Sequence, residues 1–243
     1  MIINRDLYLK RLTGKKHNGL IKIITGIRRC GKSFLLDPLF KEYLLAEGVP
    51  EDHIVKIELD RVSNRKYHKN AEAFDTYIRS FIKDDDWYYL LLDEIQLVEG
   101  FEFVLNGLLY EKNLDIYVTG SNSKFLSSDI ITEFRGRGDQ LHLSPLSFSE
   151  FFSAFGGDKY DRWEEYYTFG GLPQVTLQKT DEEKGAYLTQ LFEQVAVQEG
   201  AGLIAAVRLD VDYTGAARGG VAVGTVAARR GCDKVDPLIG HHE

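Results

Sequence analysis

"GIRRCGKS", residues 26–33, sets four residues between two glycines and follows the second glycine with a lysine and a serine. The spacing is that of the P-loop, G-x-x-x-x-G-K-[ST], whose glycines let the backbone curl so that several N–H groups point into one concavity. Lys32 can reach the β- and γ-phosphates of a nucleotide, and the Ser33 hydroxyl can ligate Mg²⁺. The loop therefore predicts a site for a nucleoside triphosphate.

The residues expected to line this nucleotide belong to the loop and to the start of the helix after it. They are Gly26, Arg29, Cys30, Gly31, Lys32, Ser33 and Phe34. The two arginines are less determined than the lysine, since side chains at the variable positions of a P-loop often face away from the ligand. Arg28 and Arg29 either contact phosphate or pair with acidic groups elsewhere.

Hydrophobic patterning around the loop indicates strands that alternate with helices. Strands are predicted at 20–25, 53–59, 87–94, 115–120 and 141–143, and helices after the loop, at 71–83, near 101–111 and from about 147. Pro38 lies about two turns into the first of these helices and should kink it. The run "WYYLLLDE" at 87–94 is almost continuously apolar, as expected of a central parallel strand buried on both faces. The pattern predicts an α/β fold, with helices on both faces of a parallel sheet.

Acidic and polar residues end two of the predicted strands. Asp93 can hold the shell of Mg²⁺, usually through water, as a Walker B acid does. Glu94 can polarise an attacking water molecule as a general base. In "TGSNS", Ser121 or Asn122 could orient that water by hydrogen bonding, although such residues are also common in turns.

Two arginines flank a glycine in "EFRGRGDQ", at positions 135 and 137. A flexible backbone that carries guanidinium groups suits an arginine finger, which stabilises the charge that develops on a transferred phosphoryl group. The alternative is a solvated loop, because arginines are common at protein surfaces. Arg135 and Arg137 are therefore candidates for this catalytic role.

Composition limits the classes of protein that remain. The 243 residues are 44% hydrophobic and 12% aromatic, with a formal net charge of −7 that gives no support to general affinity for nucleic acid or membranes. No apolar run approaches the roughly 20 residues that span a bilayer, and the N-terminus lacks the apolar core of a signal peptide. Cys30 lies inside the glycine loop and Cys232 is the only other cysteine. A structural disulfide is therefore not expected, which fits a reducing cytoplasm.

Five separated stretches resemble a prokaryotic family of AAA+-like P-loop ATPases with an appended C-terminal domain. They are "GIRRCGKS", "YYLLLDEIQ", "TGSNS", "FRGRGDQLHLSPLSFSEF" and "FGGLPQV", in the family's order, and the resemblance covers about residues 4–195. It implies an ASCE-type three-layer sandwich with sheet order 5-1-4-3-2 that binds ATP and Mg²⁺. It also implies roles for individual residues, with Walker A at Lys32 and Ser33, Walker B at Asp93 and Glu94, sensor 1 at Ser121 or Asn122, and a finger at Arg135 or Arg137.

The same resemblance bears on the second half of the chain. "GGLP" looks like the motif that closes over the adenine in related ATPases, which makes Pro173 a nucleotide-binding candidate; the alternative is a plain turn before a helix. We expect an ATPase core at 1–155 and the start of a helical lid or winged-helix-like region at 156–195. The segment 196–243 departs from the family, is rich in Ala, Gly and Val and has one aromatic residue, Tyr213, so we expect it to be poorly packed.

These features favour an enzyme that hydrolyses ATP to ADP and phosphate, acting as a homo-oligomer if the finger reaches a neighbour's nucleotide. The alternative is a nucleotide-dependent switch or scaffold, in which ATP and ADP select conformations with little turnover. Glu94 favours the enzyme, because a switch has less need of a general base. A DNA-binding regulator is less favoured, since the chain has neither a basic stripe nor a legible helix-turn-helix. The sequence names no protein partner.

Overall fold

The computed structural model describes residues 2–120, 134 and 136–199. These residues form a sheet of five parallel strands: β1 (Ile21–Thr25), β2 (Ile54–Glu58), β3 (Tyr88–Asp93), β4 (Leu114–Thr119) and β5 (Gly138–His142). The strands lie in the order β2-β3-β4-β1-β5. Read from the other edge, this is 5-1-4-3-2, so the α/β P-loop fold predicted from the sequence is confirmed.

Among the described residues, helices precede β1, lie in the connections from β1 to β4 and continue beyond β5. They are α1 (Asp6–Thr13), α2 (Lys32–Phe34), α3 (Lys41–Ala46), α4 (Ala71–Arg79), α5 (Phe101–Leu108), α6 (Phe148–Phe155), α7 (Lys159–Phe169), α8 (Pro173–Thr176) and α9 (Asp181–Glu199). Short 3-10 turns occupy Glu51–His53, Val62–Tyr67 and Ile95–Leu97. Within the described residues, none of the helices combines the length and the apolar character that crossing a bilayer requires.

The helix predicted after the P-loop is interrupted where Pro38 was expected to kink it. Between α2 and α3 the chain forms a π-helical stretch, Leu35–Phe40, and Asp37 within it has an extended backbone with φ −145° and ψ 117°. The residue before a proline is pushed out of the helical region by the proline ring, which accounts for this conformation. The kink predicted from the sequence is therefore present.

Alternate residues of the central strands pack into two separate clusters, one on each face of the sheet. Leu90 and Leu92 of β3 belong to the cluster that contains Phe74 of α4. Leu91, between them, belongs to the opposite cluster, which contains Phe40. Every residue of β3 is buried, as the apolar run predicts for a strand covered on both sides.

The register of the sheet brings the carboxyl ends of three strands level. Val118 of β4 pairs with Leu92 of β3 on one side and with Ile23 of β1 on the other. Asp93, at the end of β3, therefore lies beside the last residues of β4 and near the loop that follows β1. In parallel sheets this edge is the usual place for a ligand.

The two domain boundaries predicted from the sequence can be compared with the bounds of the helices. α6 ends at Phe155, where the ATPase core is predicted to end. The other predicted boundary, at residue 196, falls inside α9, and residues 200–243 lie outside the described part of the chain. The division into core, lid and tail remains a prediction.

Candidate functional site

The P-loop follows β1 and is held in a shape that only glycine permits at its first position. Gly26 has φ 145°, and a Cβ atom there would lie 2.2 Å from the carbonyl oxygen of Leu143 and 2.9 Å from Sγ of Cys30. Gly31 has φ 101° and is the residue before α2. Both glycines of the motif therefore have backbone conformations that residues with a side chain rarely adopt.

Lys32 folds back over the loop that precedes it. Its Nζ donates hydrogen bonds to the carbonyl oxygens of Gly26, at 3.1 Å, and of Ile27, at 3.0 Å, and the residue is only 5% exposed. A buried ammonium group requires such partners, because loss of hydration is costly. The positive charge is thereby fixed inside the curl of the loop.

Asp93 of β3 is hydrogen-bonded to the P-loop and to the neighbouring strand β4. Ser33 Oγ donates a hydrogen bond of 3.0 Å to Asp93 Oδ1, and the Thr119 hydroxyl donates to the same oxygen. Burial raises the pKa of the Asp93 carboxyl above its ordinary value, and the two hydroxyl donors oppose that shift. The arrangement holds a hydroxyl and a carboxylate, two hard oxygen ligands, next to each other at the start of α2.

Glu94 follows directly in an unusual backbone conformation. Its φ of 56° and ψ of 46° lie in the left-handed region, which few residues other than glycine occupy. Its N–H donates to Thr119 Oγ1 at 3.1 Å, and the Gln96 side-chain amide donates to its carboxylate. Strained conformations of this kind concentrate at functional sites, and here the turn brings Glu94 to the wall of the same pocket as Lys32 and Ser33.

That pocket has a volume of about 380 Å³, and its size suits a small-molecule ligand. Its lining includes charged and polar residues of the P-loop together with Glu94, directly after β3, which we call the polar part. It also includes apolar side chains from three other segments, which we call the apolar part, namely Ile3, Leu146, Pro173 and Leu177. A larger groove of about 1310 Å³ runs beside it between the N-terminal segment, α6 and α7. The groove contains neither Lys32 nor Ser33, so the smaller pocket is the candidate nucleotide site.

Both arginines of the P-loop, Arg28 and Arg29, line the pocket. Arg29 reaches α9, where its guanidinium donates to Tyr187 Oη at 2.8 Å and to Gln194 Oε1 at 3.3 Å and lies 5.3 Å from the centre of the Tyr187 ring. Arg29 thus contacts neutral partners in another part of the chain while it lines the pocket, and its role towards phosphate remains a prediction.

Three other candidates for nucleotide binding lie close to the loop. Cys30 is fully buried, and this burial raises the pKa of its thiol. Phe34 and Pro173 line the pocket, and Pro173 Cγ lies 3.8 Å from where a Cβ atom on Gly31 would be. Pro173 is also the first residue of α8, so "GGLP" both starts a helix and borders the pocket.

Arg137 lies at the opposite end of the sheet from the P-loop of its own chain. It directly precedes β5, and its carbonyl oxygen accepts a hydrogen bond of 2.9 Å from the N–H of Ile21, the first residue of β1. The five residues of β1 therefore separate it from Gly26, a distance of about 16 Å. Its guanidinium lies 5.9 Å from the centre of the Tyr110 ring. The remaining candidates, Ser121, Asn122 and Arg135, lie outside the described residues.

Several residues of the site were not predicted from the sequence. Thr119 could have been found, because it ends a strand next to β3 and precedes the polar run "GSNS". Ile3 and Arg5 lie outside the five stretches, and Leu146 lies in one of them without an assigned role. Their position beside the P-loop depends on contacts between distant parts of the chain. Arg5 is the clearest example, since its side chain pairs with Glu150.

Comparison with known proteins finds a family model that matches this chain. A family model described as an AAA domain matches residues 18–152. An uncharacterised protein of Haemophilus influenzae is 33% identical over 205 residues, which cover 82% of this chain and 50% of the relative. An uncharacterised protein of Methanocaldococcus jannaschii is 28% identical over 210 residues, which cover 80% of this chain and 44% of the relative. The chain thus spans about half the length of the curated relatives it matches.

Solved structures show more distant likenesses. The ORC1 protein of Aeropyrum pernix, in complex with DNA, is 15% identical with a TM-score of 0.42, and the match covers 68% of this chain and 50% of that one. PCH-2 of C. elegans is 18% identical with a TM-score of 0.41, covering 60% of this chain and 40% of that one. Neither likeness is close enough to bear on function.

Proposed function

The chain belongs to the family of AAA domains, and from that premise we propose that it binds ATP together with Mg²⁺ and hydrolyses the ATP to ADP and phosphate. The observation that carries the proposal is the hydrogen bond of 3.0 Å between Ser33 Oγ and Asp93 Oδ1. It joins the residue that should ligate the metal from the P-loop to the acid that should hold it from the sheet. These two groups are 60 positions apart in the sequence.

The two parts of the pocket match the two parts of ATP. Lys32 and the N–H groups at the start of α2 would hold the β- and γ-phosphates, because a fixed ammonium group and backbone donors stabilise concentrated negative charge. The apolar part would take the adenine between Ile3, Leu146 and Pro173. This placement follows the role that the family resemblance implies for "GGLP".

The residues present fit a magnesium ion. Mg²⁺ prefers hard oxygen ligands and usually takes only one or two from the protein, with phosphate and water completing its shell. Ser33 and Asp93 supply two such oxygens. The described residues contain no cluster of three or more His, Cys, Asp or Glu side chains that could hold a metal, and this mode of binding requires none. When bound, the ion would neutralise charge on the phosphates.

Glu94 is the residue proposed to act on water. Its carboxylate would accept a proton from the attacking water, while Lys32 stabilises the charge on the γ-phosphate. Gln96 donates to that carboxylate and so helps to orient it. Ser121 or Asn122 is proposed to position the same water. Arg135 or Arg137 is proposed to act on the nucleotide of a second copy, because Arg137 lies at the end of the strands away from the P-loop of its own chain.

Calorimetry and phosphate release together test this function. We expect Lys32→Ala to abolish tight binding of Mg-ATP, because the fixed charge on the phosphates is lost. Lys10→Ala, at an exposed lysine of α1, serves as the matched control and should bind as the wild type does. If the Lys32→Ala protein binds ATP with wild-type affinity, the assignment of the nucleotide site is wrong.

The catalytic role of Glu94 needs a separate measurement. We expect Glu94→Gln to keep ATP affinity and to release phosphate at least roughly tenfold more slowly, since loss of a general base usually costs about two to four decades in rate. Glu99→Gln, at an exposed glutamate five residues away, should leave the rate unchanged. A wild-type rate in the Glu94→Gln protein would exclude Glu94 as the base.

A nucleotide-dependent switch with little turnover is the second candidate. The contact between Arg29 of the P-loop and two residues of α9 favours it, because it gives the nucleotide site a direct connection to a helix outside the sheet. A switch would bind ATP and ADP with different protection of α9 from hydrogen exchange, and Glu94→Gln would leave that difference intact. Phosphate release by the wild-type protein, measured in the same conditions, separates the two functions.

A further inference from the structure

The two parts of the pocket are built by segments that are distant in sequence. Gly31, Lys32 and Ser33 belong to the P-loop, whereas Ile3 comes from the N-terminal segment and Leu146 from the connection between β5 and α6. A ligand that occupies both parts needs these segments to keep a fixed separation. The side chain that joins them is that of Arg5.

The Arg5 guanidinium makes three hydrogen bonds to three different structural units. Nη1 donates to the carbonyl oxygen of Cys30 in the P-loop at 3.3 Å, and Nη2 donates to the carbonyl oxygen of Ser144 after β5 at 2.7 Å. Nε donates to Glu150 Oε1 in α6 at 2.9 Å. Because the guanidinium is planar and rigid, these bonds fix the mutual positions of all three units.

Glu150 extends this connection to the apolar part of the pocket. Its second carboxylate oxygen accepts from the N–H and the hydroxyl of Ser147, which caps α6. The neighbouring Leu146 accepts at its carbonyl oxygen from Tyr166 and donates its N–H to Gly171, in "GGLP", at 2.7 Å. Arg5 thus reaches both the wall at Leu146 and the turn that carries Pro173.

Arg5 itself lies in the pocket lining, beside the P-loop. It lines the pocket, is only 4% exposed, and lies with Nη1 4.0 Å from where a Cβ atom on Gly31 would be. The ring of Tyr8 covers the guanidinium at 4.6 Å. A buried charge with this number of partners is fixed in position, since any movement would leave a polar group without hydration or a hydrogen bond.

We propose that Arg5 is a positioning residue for nucleoside recognition, which holds the apolar walls at Ile3 and Leu146 in register with the phosphate-binding loop. The proposal rests on the proposed function, because it concerns how the same site distinguishes a nucleotide from bare phosphates. It predicts a specific pattern: loss of Arg5 weakens binding of the nucleoside more than binding of the triphosphate chain. A residue that only stabilised the P-loop would affect both ligands equally.

The test compares ATP with inorganic tripolyphosphate, each with Mg²⁺, by calorimetry on the whole chain. For Arg5→Met, which keeps length and apolar volume, we expect the Kd for ATP to rise by about tenfold or more, as the loss of charge-assisted hydrogen bonds implies. The Kd for tripolyphosphate should rise by less than about threefold. Arg5→Lys should restore part of the ATP affinity, because an ammonium group keeps the charge and some of the donors.

Two further variants keep the outcome decisive. Arg11→Met changes an exposed arginine of α1 that also lies over the Tyr8 ring, and it should change neither affinity. Glu150→Gln retains an acceptor for Arg5 and should show the same selective loss in milder form, which provides a reading if the Arg5→Met protein does not fold.

Each remaining outcome counts against a particular claim. Equal weakening of ATP and tripolyphosphate in the Arg5 and Glu150 variants, or no weakening of either ligand, overturns the positioning role and leaves the proposed function intact. Failure of the wild-type protein to bind either ligand overturns the proposed function, and the role of Arg5 with it.

Discussion

Replacement of Gly26 by alanine should show how strongly the conformation of the P-loop depends on glycine at this position. The new Cβ atom would lie 2.2 Å from the Leu143 carbonyl oxygen, which is backbone and has no rotamer by which to move away. Relief requires a shift of about 1 Å in a packed region, and overpacking of this kind costs about 1–3 kcal/mol. A side chain at φ 145° adds about 1–3 kcal/mol of backbone strain. The free energy of unfolding should therefore fall by about 4 kcal/mol.

Gly19 supplies the control, because it also has a positive φ, of 73°, but nothing lies within 4 Å of its Cβ position. Gly19→Ala should cost only the backbone strain, about 1–2 kcal/mol. Urea unfolding of both variants and the wild type, followed by circular dichroism, gives the two differences on the same scale. If Gly26→Ala is no less stable than Gly19→Ala, the contact with Leu143 does not constrain the loop and the reasoning fails.

Two further predictions concern the acid and the finger. Because burial raises the pKa of Asp93 in the folded protein, the folded state holds that proton more tightly than the unfolded state, so its ionisation lowers stability as pH rises above the ordinary carboxyl pKa. Asp93→Asn should therefore raise the midpoint of urea unfolding at pH 7, and this gain in stability should disappear as the pH is lowered. The same variant should abolish Mg²⁺-dependent phosphate release. A lower unfolding midpoint at pH 7 would contradict the stability prediction. Specific activity should fall on dilution, and Arg137→Ala should reduce activity without changing ATP affinity, because a finger supplied by a neighbour can contribute about three to five decades in rate. Activity that is independent of concentration over a wide dilution series would exclude a finger supplied by a neighbour.

The sheet and the position of the P-loop next to Asp93 and Glu94 were predictable because their signals are local. The apolar run at 87–94 ends in Asp93 and Glu94, and the order of strands follows once the P-loop motif and its family are identified. Pro38 likewise predicts its own kink, since the restriction acts on the adjacent residue.

Apart from Pro173, the apolar part of the site was not predictable in the same way. Arg5 and Glu150 are 145 positions apart, and no sequence pattern connects them, although Glu150 lies in "FRGRGDQLHLSPLSFSEF". Ile3 and Leu146 are ordinary apolar residues whose role arises only when the N-terminal segment packs beside the connection after β5. The strand predicted at 141–143 begins earlier, at Gly138, because backbone pairing with Ile21 extends it through residues without hydrophobic character.

The hydrogen bonds between Arg29 and α9 have a geometric consequence. Tyr187 and Gln194 are seven residues apart, so the arginine holds the helix along about 10 Å of its axis. Glu199, the last residue of α9, lies about 13 Å beyond the midpoint of this contact at 1.5 Å per residue. A rotation of about 10° around that midpoint would move Glu199 through about 2 Å. A small rearrangement of the P-loop would therefore be transmitted through Arg29 to α9, and the end of this helix would move further than the loop itself.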